Sequence, residues 1–80
     1  MDISEAWKVL QRYYSQSELE YIRRKKGFDG SEYDTNRELA YNAKLLRDKA
    51  VEIGDSEERA RIYTAAKEFE RIAREAESQR

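Results

Sequence analysis

Proline, cysteine and histidine are all missing from these 80 residues, and glycine occurs three times. Average usage of about 5% proline would put roughly four in a chain of this length. Without them, no segment is barred from helix by a fixed φ or a missing amide donor. The lack of cysteine removes disulfides, thiolate nucleophiles and sulfur-ligated metals, and leaves the redox compartment unmarked. The lack of histidine removes the Glu-x-x-His motif of carboxylate metal bundles. An excess of one charge is missing too: 16 basic against 17 acidic residues give a net charge of −1, which exerts no overall pull on nucleic acid or anionic membrane. No apolar run approaches the ~20 residues that span a bilayer. Met1-Asp2-Ile3-Ser4-Glu5 has no basic stretch leading into an apolar one, so no signal peptide is expected. The chain reads as soluble, and as cytoplasmic if expressed in a cell.

What is present fits a single helical domain spanning residues 1–80. Hydrophobic residues make up 39% and charged residues 41%, against a usual charged share of about 25%. That balance suits helices with one apolar stripe and a charged outer face. Trp7, Phe28, Phe69 and six tyrosines supply more aromatic mass than a disordered segment carries. A domain this small buries only about 60% of the surface that its unfolded chain exposes, so its core is thin.

Start and stop signals divide the chain into four helices, roughly 3–14, 17–26, 35–53 and 56–78. Asp2 or Ser4 can cap the first, and Ile3, Ala6, Trp7, Leu10, Tyr13 and Tyr14 recur at spacings of three and four along one face. Ser15 with Glu18 and Ser17 with Glu20 form two overlapping capping boxes, which favour a new helix start over continuation. The short second helix carries Leu19, Tyr21 and Ile22 and ends at Gly27, a residue suited to a left-handed C-cap. After the turn at Gly27-Phe28-Asp29-Gly30, Thr35 with Glu38 reads as the capping box of the third helix. Leu39, Ala43, Leu46, Ala50 and Ile53 form its packing seam. Asp55 with Glu58 caps the fourth helix, whose stripe is Ile62, Ala66, Phe69, Ala73 and Ala76, widened by Ala65 and Ile72. A link of about two residues forces the third and fourth helices to lie antiparallel. Glu20 with Arg24, Glu57 with Arg61 and Glu70 with Arg74 are i,i+4 pairs in the favourable order, each contributing about 0.2–0.5 kcal/mol. The predicted class is therefore an all-α, compact, antiparallel bundle of four helices, with three as the alternative, and no strand.

Each candidate for chemistry has a plainer explanation in this helical frame. Arg23-Arg24-Lys25-Lys26 is the one dense charge run. Its place just before Gly27 is where cations complement the partial negative charge of a helix C-terminus. Asp29 to Asp34 is rich in acids, but a calcium loop begun at Asp29 would need glycine at Asp34 and glutamate at Ala40. Tyr63 and Lys67, like Tyr21 and Lys25, have the spacing of the tyrosine–lysine pair of short-chain dehydrogenases. That chemistry also needs a glycine-rich dinucleotide turn. No acidic residue falls inside an apolar stripe, where burial would shift its pKa toward neutrality. No enzyme, catalytic residue, metal site or cofactor is predicted. Tyr13, Tyr14, Tyr21, Tyr33, Tyr41 and Tyr63 are read as core-boundary residues with the ring inside and the hydroxyl wet, the alternative being a peptide-binding groove.

Two stretches resemble pieces of tetratricopeptide repeats. Ala6-Trp7, Leu10 and Tyr13-Tyr14 resemble the first helix of that repeat, and Ile53-Gly54-Asp55 with Ala60, Arg61 and Tyr63 resembles the turn between successive repeats. The resemblance covers about half the chain and implies helical-hairpin packing with a concave, peptide-binding face. Trp7 and Tyr63 stand more than one repeat of 34 or ~40 residues apart and less than two, so the architecture is non-repeat. Such fragments, joined off-register in a chain lacking proline, cysteine and histidine, resemble designed helical proteins assembled from native substructures. The expected role is a monomeric structural scaffold with no evolved biochemical function and no partner. The alternative is a small interaction module that grips a peptide segment. The seam assignment has a direct check: Leu46→Ala should lower unfolding stability by about 2–5 kcal/mol in a denaturant titration, whereas a loss under ~0.5 kcal/mol would misplace the stripe.

Overall fold

The computed structural model describes residues 1–79 and contains four helices: α1 (Ile3–Tyr13), α2 (Gln16–Lys26), α3 (Glu32–Glu52) and α4 (Ser56–Ser78). No strand occurs among the described residues. The radius of gyration of 12.5 Å is close to the ~12 Å expected of a folded chain this long. None of the helices is long and apolar enough to cross a membrane, among the described residues.

α4 is the central element, packing extensively against α3 and also against α1. Both neighbours run antiparallel to it. Going down α1 from Tyr13 to Trp7, the partners on α4 go up from Glu58 to Phe69. Phe69, Leu10, Leu46 and Ile62 are the largest fully buried side chains, and they interleave with Ala6, Ala43, Ala50, Ala65 and Ala66. Alanine lets helix axes approach closely, and the four large residues then fill the space between them. Trp7 meets the Phe69 ring edge-on, with centroids 5.2 Å apart at 88°, the geometry that aromatic quadrupoles favour. The predicted stripes on α1 and α4 supply most of this core. Val9 and Leu45 are buried as well, although the a/d spacing left both out. Leu39 and Ile53 are only partly buried.

α2 contributes no fully buried residue. Its Leu19 and Ile22 pack half-buried against the edge of the three-helix core. The break before it is real: Tyr14 and Ser15 are both extended. Ser15 Oγ accepts from Glu18 N at 3.1 Å while Ser15 N donates to Glu18 at 3.0 Å, a complete capping box. Of the two overlapping boxes, this one forms. The helix therefore starts at 16 rather than 17, and Ser17 lies inside it. Gly27 ends α2 with φ 74°. Gly27 N donates to Arg24 O and Phe28 N to Arg23 O, the paired bonds of a Schellman motif.

The third helix begins three residues earlier than its sequence suggests. Ser31, not Thr35, is the cap: Ser31 Oγ accepts from Asp34 N at 3.2 Å. The Thr35 hydroxyl instead donates to Ser31 O at 2.7 Å, and Glu38 is engaged by Arg23 of α2. Arg23 thus supplies an alternative partner for the glutamate that a capping box at Thr35 needs. At the far end, Ile53-Gly54-Asp55 separates α3 from α4. Asp55 Oδ1 accepts from Glu57 N and Glu58 N, and the Arg59 guanidinium donates to Ile53 O. The carbonyl of Ile53, which caps α3, and two of the first amides of α4 are thereby satisfied across one short turn. Among the predicted i,i+4 pairs, Glu70 bonds Arg47 across to α3, and Arg61 approaches Glu58 rather than Glu57.

The two serines give a discriminating check. Ser15→Ala should cost about 0.5–2 kcal/mol of stability, and Ser17→Ala should change it by less than ~0.5 kcal/mol, as exposed substitutions do. Chemical denaturation of both variants reads this; the reverse order would move the cap to Ser17.

Candidate functional site

Two adjoining clefts lie where the C-terminal half of α2 crosses the N-terminal half of α3. One, of about 370 Å3, is lined by Lys26, Phe28, Arg37, Ala40, Tyr41 and Lys44. The other, of about 430 Å3, is lined by Tyr21, Ile22, Lys25, Lys26 and Tyr41. Lys26 and Tyr41 belong to both, so they form the ridge between two halves of one groove.

The backbone explains this assembly. The left-handed turn at Gly27 reverses the chain and brings Phe28 against Tyr41, with ring centroids 6.3 Å apart. Asp34 then fixes the loop: its carboxylate accepts from Asp29 N at 3.2 Å and from Arg37 at 3.0 Å. Asp29 in turn accepts from Ser31 N, and those bonds to Ser31 hold its carboxyl below the ordinary value. Asp29 and Asp34 are therefore both engaged, by the backbone of this loop and by Arg37.

Cations crowd the aromatic rings along the groove. Lys26 Nζ stands 4.6 Å from the Tyr41 centroid and Lys44 Nζ 5.9 Å from the same centroid. Lys25 Nζ lies 5.9 Å from the Tyr21 ring, and the Arg37 guanidinium 5.6 Å from Phe28. Contacts in this range contribute about 0.5–1 kcal/mol at exposed sites. Asp48 bonds Lys44 at 3.0 Å and holds its ammonium above the ordinary value. Among the described residues, neither Lys25 nor Lys26 has a carboxylate within ion-pair distance.

Tyr13, Tyr33 and Tyr63 do not join this groove, whereas Tyr14 lines an adjoining cleft of about 350 Å3 with Ser17, Glu18, Tyr21 and Ile22. Tyr13 donates to Glu58 of α4, where Arg12 also approaches. Tyr14 donates to Leu45 O at 3.0 Å, and Tyr63 lies under Arg47. Tyr33 is exposed beside Arg37. The ring-inside reading suits Tyr13 and Tyr14, but their hydroxyls are hydrogen-bonded to protein rather than simply wet. Burial, and then the bond to Glu58, push the Tyr13 hydroxyl above its ordinary value; burial does the same to Tyr14. Of the Tyr63–Lys67 and Tyr21–Lys25 pairs, the second brings its ammonium over the tyrosine ring.

Two carboxylates are buried although they lie outside the predicted stripes: Asp34 is 7% exposed and Glu68 8%. Glu68 escaped notice because it sits beside the α4 stripe, and the start of α1 covers it only in the folded chain. Arg71 grips it at 3.0 Å and lowers its pKa; the N-terminal amino group acts in the same direction and Asp2 opposes it. A further cleft, of about 310 Å3, lies between α3 and α4 and is lined by Ala40 and Ala73 among Arg37, Arg74, Glu70 and Glu77. Asn36 lines it, and Asn36 Nδ2, like Asn42 Nδ2, has no acceptor among the described residues. Sequence reading missed Phe28, Arg37 and Lys44 as companions of Tyr41. The available signal was positional: Arg37 and Lys44 sit four before and three after Tyr41, hence on its side of the helix.

Comparison with protein-family models, with curated proteins and with solved structures yields no match.

The shifted groups define both edges of the pH range. Raised tyrosine values mean that the fold favours the protonated hydroxyls. Their stabilisation is full below the ordinary value of 10.0 and is lost as pH rises through the raised values. Glu68 has the opposite sign: its contribution is full above 4.5 and is lost as pH falls below it. Denaturant midpoints measured across pH should show Tyr13→Phe flattening the alkaline limb and Glu68→Gln the acid limb. An unchanged acid limb in Glu68→Gln would contradict this assignment.

Proposed function

We propose that the chain is a structural scaffold, a designed helical bundle assembled from native-like fragments, whose sequence serves its own folding. One observation carries the reading. The two buried carboxylates, the groups with most catalytic potential, are both used structurally. Asp34 ties the α2–α3 loop through Asp29 and Arg37, and Glu68 is clamped by Arg71. The Arg71 guanidinium holds the Glu68 carboxyl below its ordinary value, the opposite of a general acid tuned toward neutrality. The missing proline, cysteine and histidine suit the same origin, since helix breakers and reactive side chains are what such a sequence omits.

The second reading, a small module that grips a peptide segment, is favoured by the groove along α2 and α3. Clefts bordered by aromatic side chains furnish anchors of the kind that dominate interface energetics.

The scaffold reading implies a monomer of 9.5 kDa whose Trp7 fluorescence and far-ultraviolet circular dichroism report one coincident unfolding transition. Immobilised protein should retain no stoichiometric partner from lysate. A stoichiometric partner displaced by Tyr41→Ala, with the unfolding midpoint unchanged, would replace the scaffold with the module.

A further inference from the structure

The α2–α3 groove differs from the rest of the surface in charge as well as shape. Elsewhere on the surface several cations pair with carboxylates: Arg47 with Glu70, Lys49 with Glu52, Arg71 with Glu68 and Glu75. Along the two clefts of the groove the lining side chains include four cations and, among the described residues, no carboxylate, and Glu18 lines the adjoining cleft beyond Tyr21 and Ile22. Asp34 and Asp48 neutralise part of this charge from outside the lining, through Arg37 and Lys44. Glu38 does the same for Arg23. Lys25 and Lys26 have no such counterweight, and Arg24 stands next to them at the end of α2. A chain with a net charge of −1 therefore presents one locally positive, aromatic-lined concavity.

We infer that this groove is a docking surface for an acidic peptide segment with an apolar anchor, seated along the Lys26–Tyr41 ridge. The assignment rests on the module reading above and adds the chemistry of the partner. Three features select this occupant. The positive rim matches carboxylates and raises the association rate through long-range attraction. Ile22, Ala40 and the edges of Phe28 and Tyr41 furnish an apolar floor for an anchor side chain. The ring faces of Tyr41, Tyr21 and Phe28 carry ammonium or guanidinium groups at 4.6 to 5.9 Å. A single-stranded nucleic acid would need those faces for base stacking and would have to displace the cations first. A carboxylate can meet the same cations where they stand.

The test is a titration of the full chain at low salt, read by fluorescence anisotropy. The labelled probe is a short synthetic peptide in which glutamates flank a Leu-Phe pair. Its comparators are the same peptide with glutamine for every glutamate, and an oligothymidine strand. Saturable binding of the acidic peptide is expected, weakened at least about tenfold by the glutamine exchange and by salt. The double variant Lys26→Glu, Lys44→Glu should abolish binding, and Lys26→Gln should weaken it by a smaller factor. Circular dichroism and the unfolding midpoint identify any variant that has lost its fold, and Lys26→Gln, which reverses no charge, then carries the test. Equal binding of the glutamine peptide would overturn the acidic assignment while leaving peptide binding standing. Binding of neither peptide would overturn both. Tighter binding of oligothymidine than of the acidic peptide, or full binding by the double variant, would also overturn the proposal.

Discussion

The close approach of α4 to α1 and α3 is the constraint on which everything else in this molecule depends. It is made possible by five alanines, Ala6, Ala43, Ala50, Ala65 and Ala66, all essentially inaccessible to water. Small side chains alone would leave voids, and large ones alone would hold the helices apart. Phe69, Leu10, Leu46 and Ile62 fill the spaces that the alanines define, and Trp7 closes the Phe69 end with its ring at 88°. In so small a domain a lost methylene has few neighbours to share the cost, since the apolar surface hidden from water is limited from the start.

The polar layer follows from that packing. Once α1 lies antiparallel to α4, Tyr13 and Arg12 necessarily reach the first turn of α4, where Glu58 receives both. Once the start of α1 covers the later turns of α4, Glu68 is enclosed and needs Arg71 to remain charged at low cost. α2 sits outside this arrangement. It is held by its caps, by half-buried Leu19 and Ile22, and by Arg23 reaching Glu38. Because α2 lies along the outside of α3 rather than within the core, the crossing remains open as a groove. The same peripheral placement makes α2 the element with least buried apolar contact and so the first expected to open locally.

Much of the helical frame was legible from residue order. Asp2, Ser15, Gly27 and Asp55 act at helix ends as their chemistry suggests, and the α4 stripe of Ile62, Ala66, Phe69 and Ala73 is buried as its spacing requires. The errors are informative. Ser31 and Thr35 both had the right side chain for a cap, and the choice fell to Ser31 because Glu38 bonds Arg23, a residue of another helix. Val9 and Leu45 are buried although they stand beside the rows that spacings of three and four trace, because the buried face is wider than a single row. The groove was half visible. Its tyrosines and its basic run stood out, but the run was explained fully by the end of α2, and nothing adjacent in sequence linked it to Tyr41.

By itself, then, the sequence determined that the chain is helical, where the helices break, and which faces of α1, α3 and α4 shun water. Each of those properties is local, set by side chains three or four positions apart and by the few groups that satisfy a helix end. Only the tertiary structure decided which carboxylates become enclosed, that Tyr14 finds Leu45 O, and that Phe28, Lys26 and Lys44 gather around Tyr41. Those outcomes depend on how whole helices cross. A crossing is fixed by the summed shape of every side chain at the contact, which no short window of sequence contains.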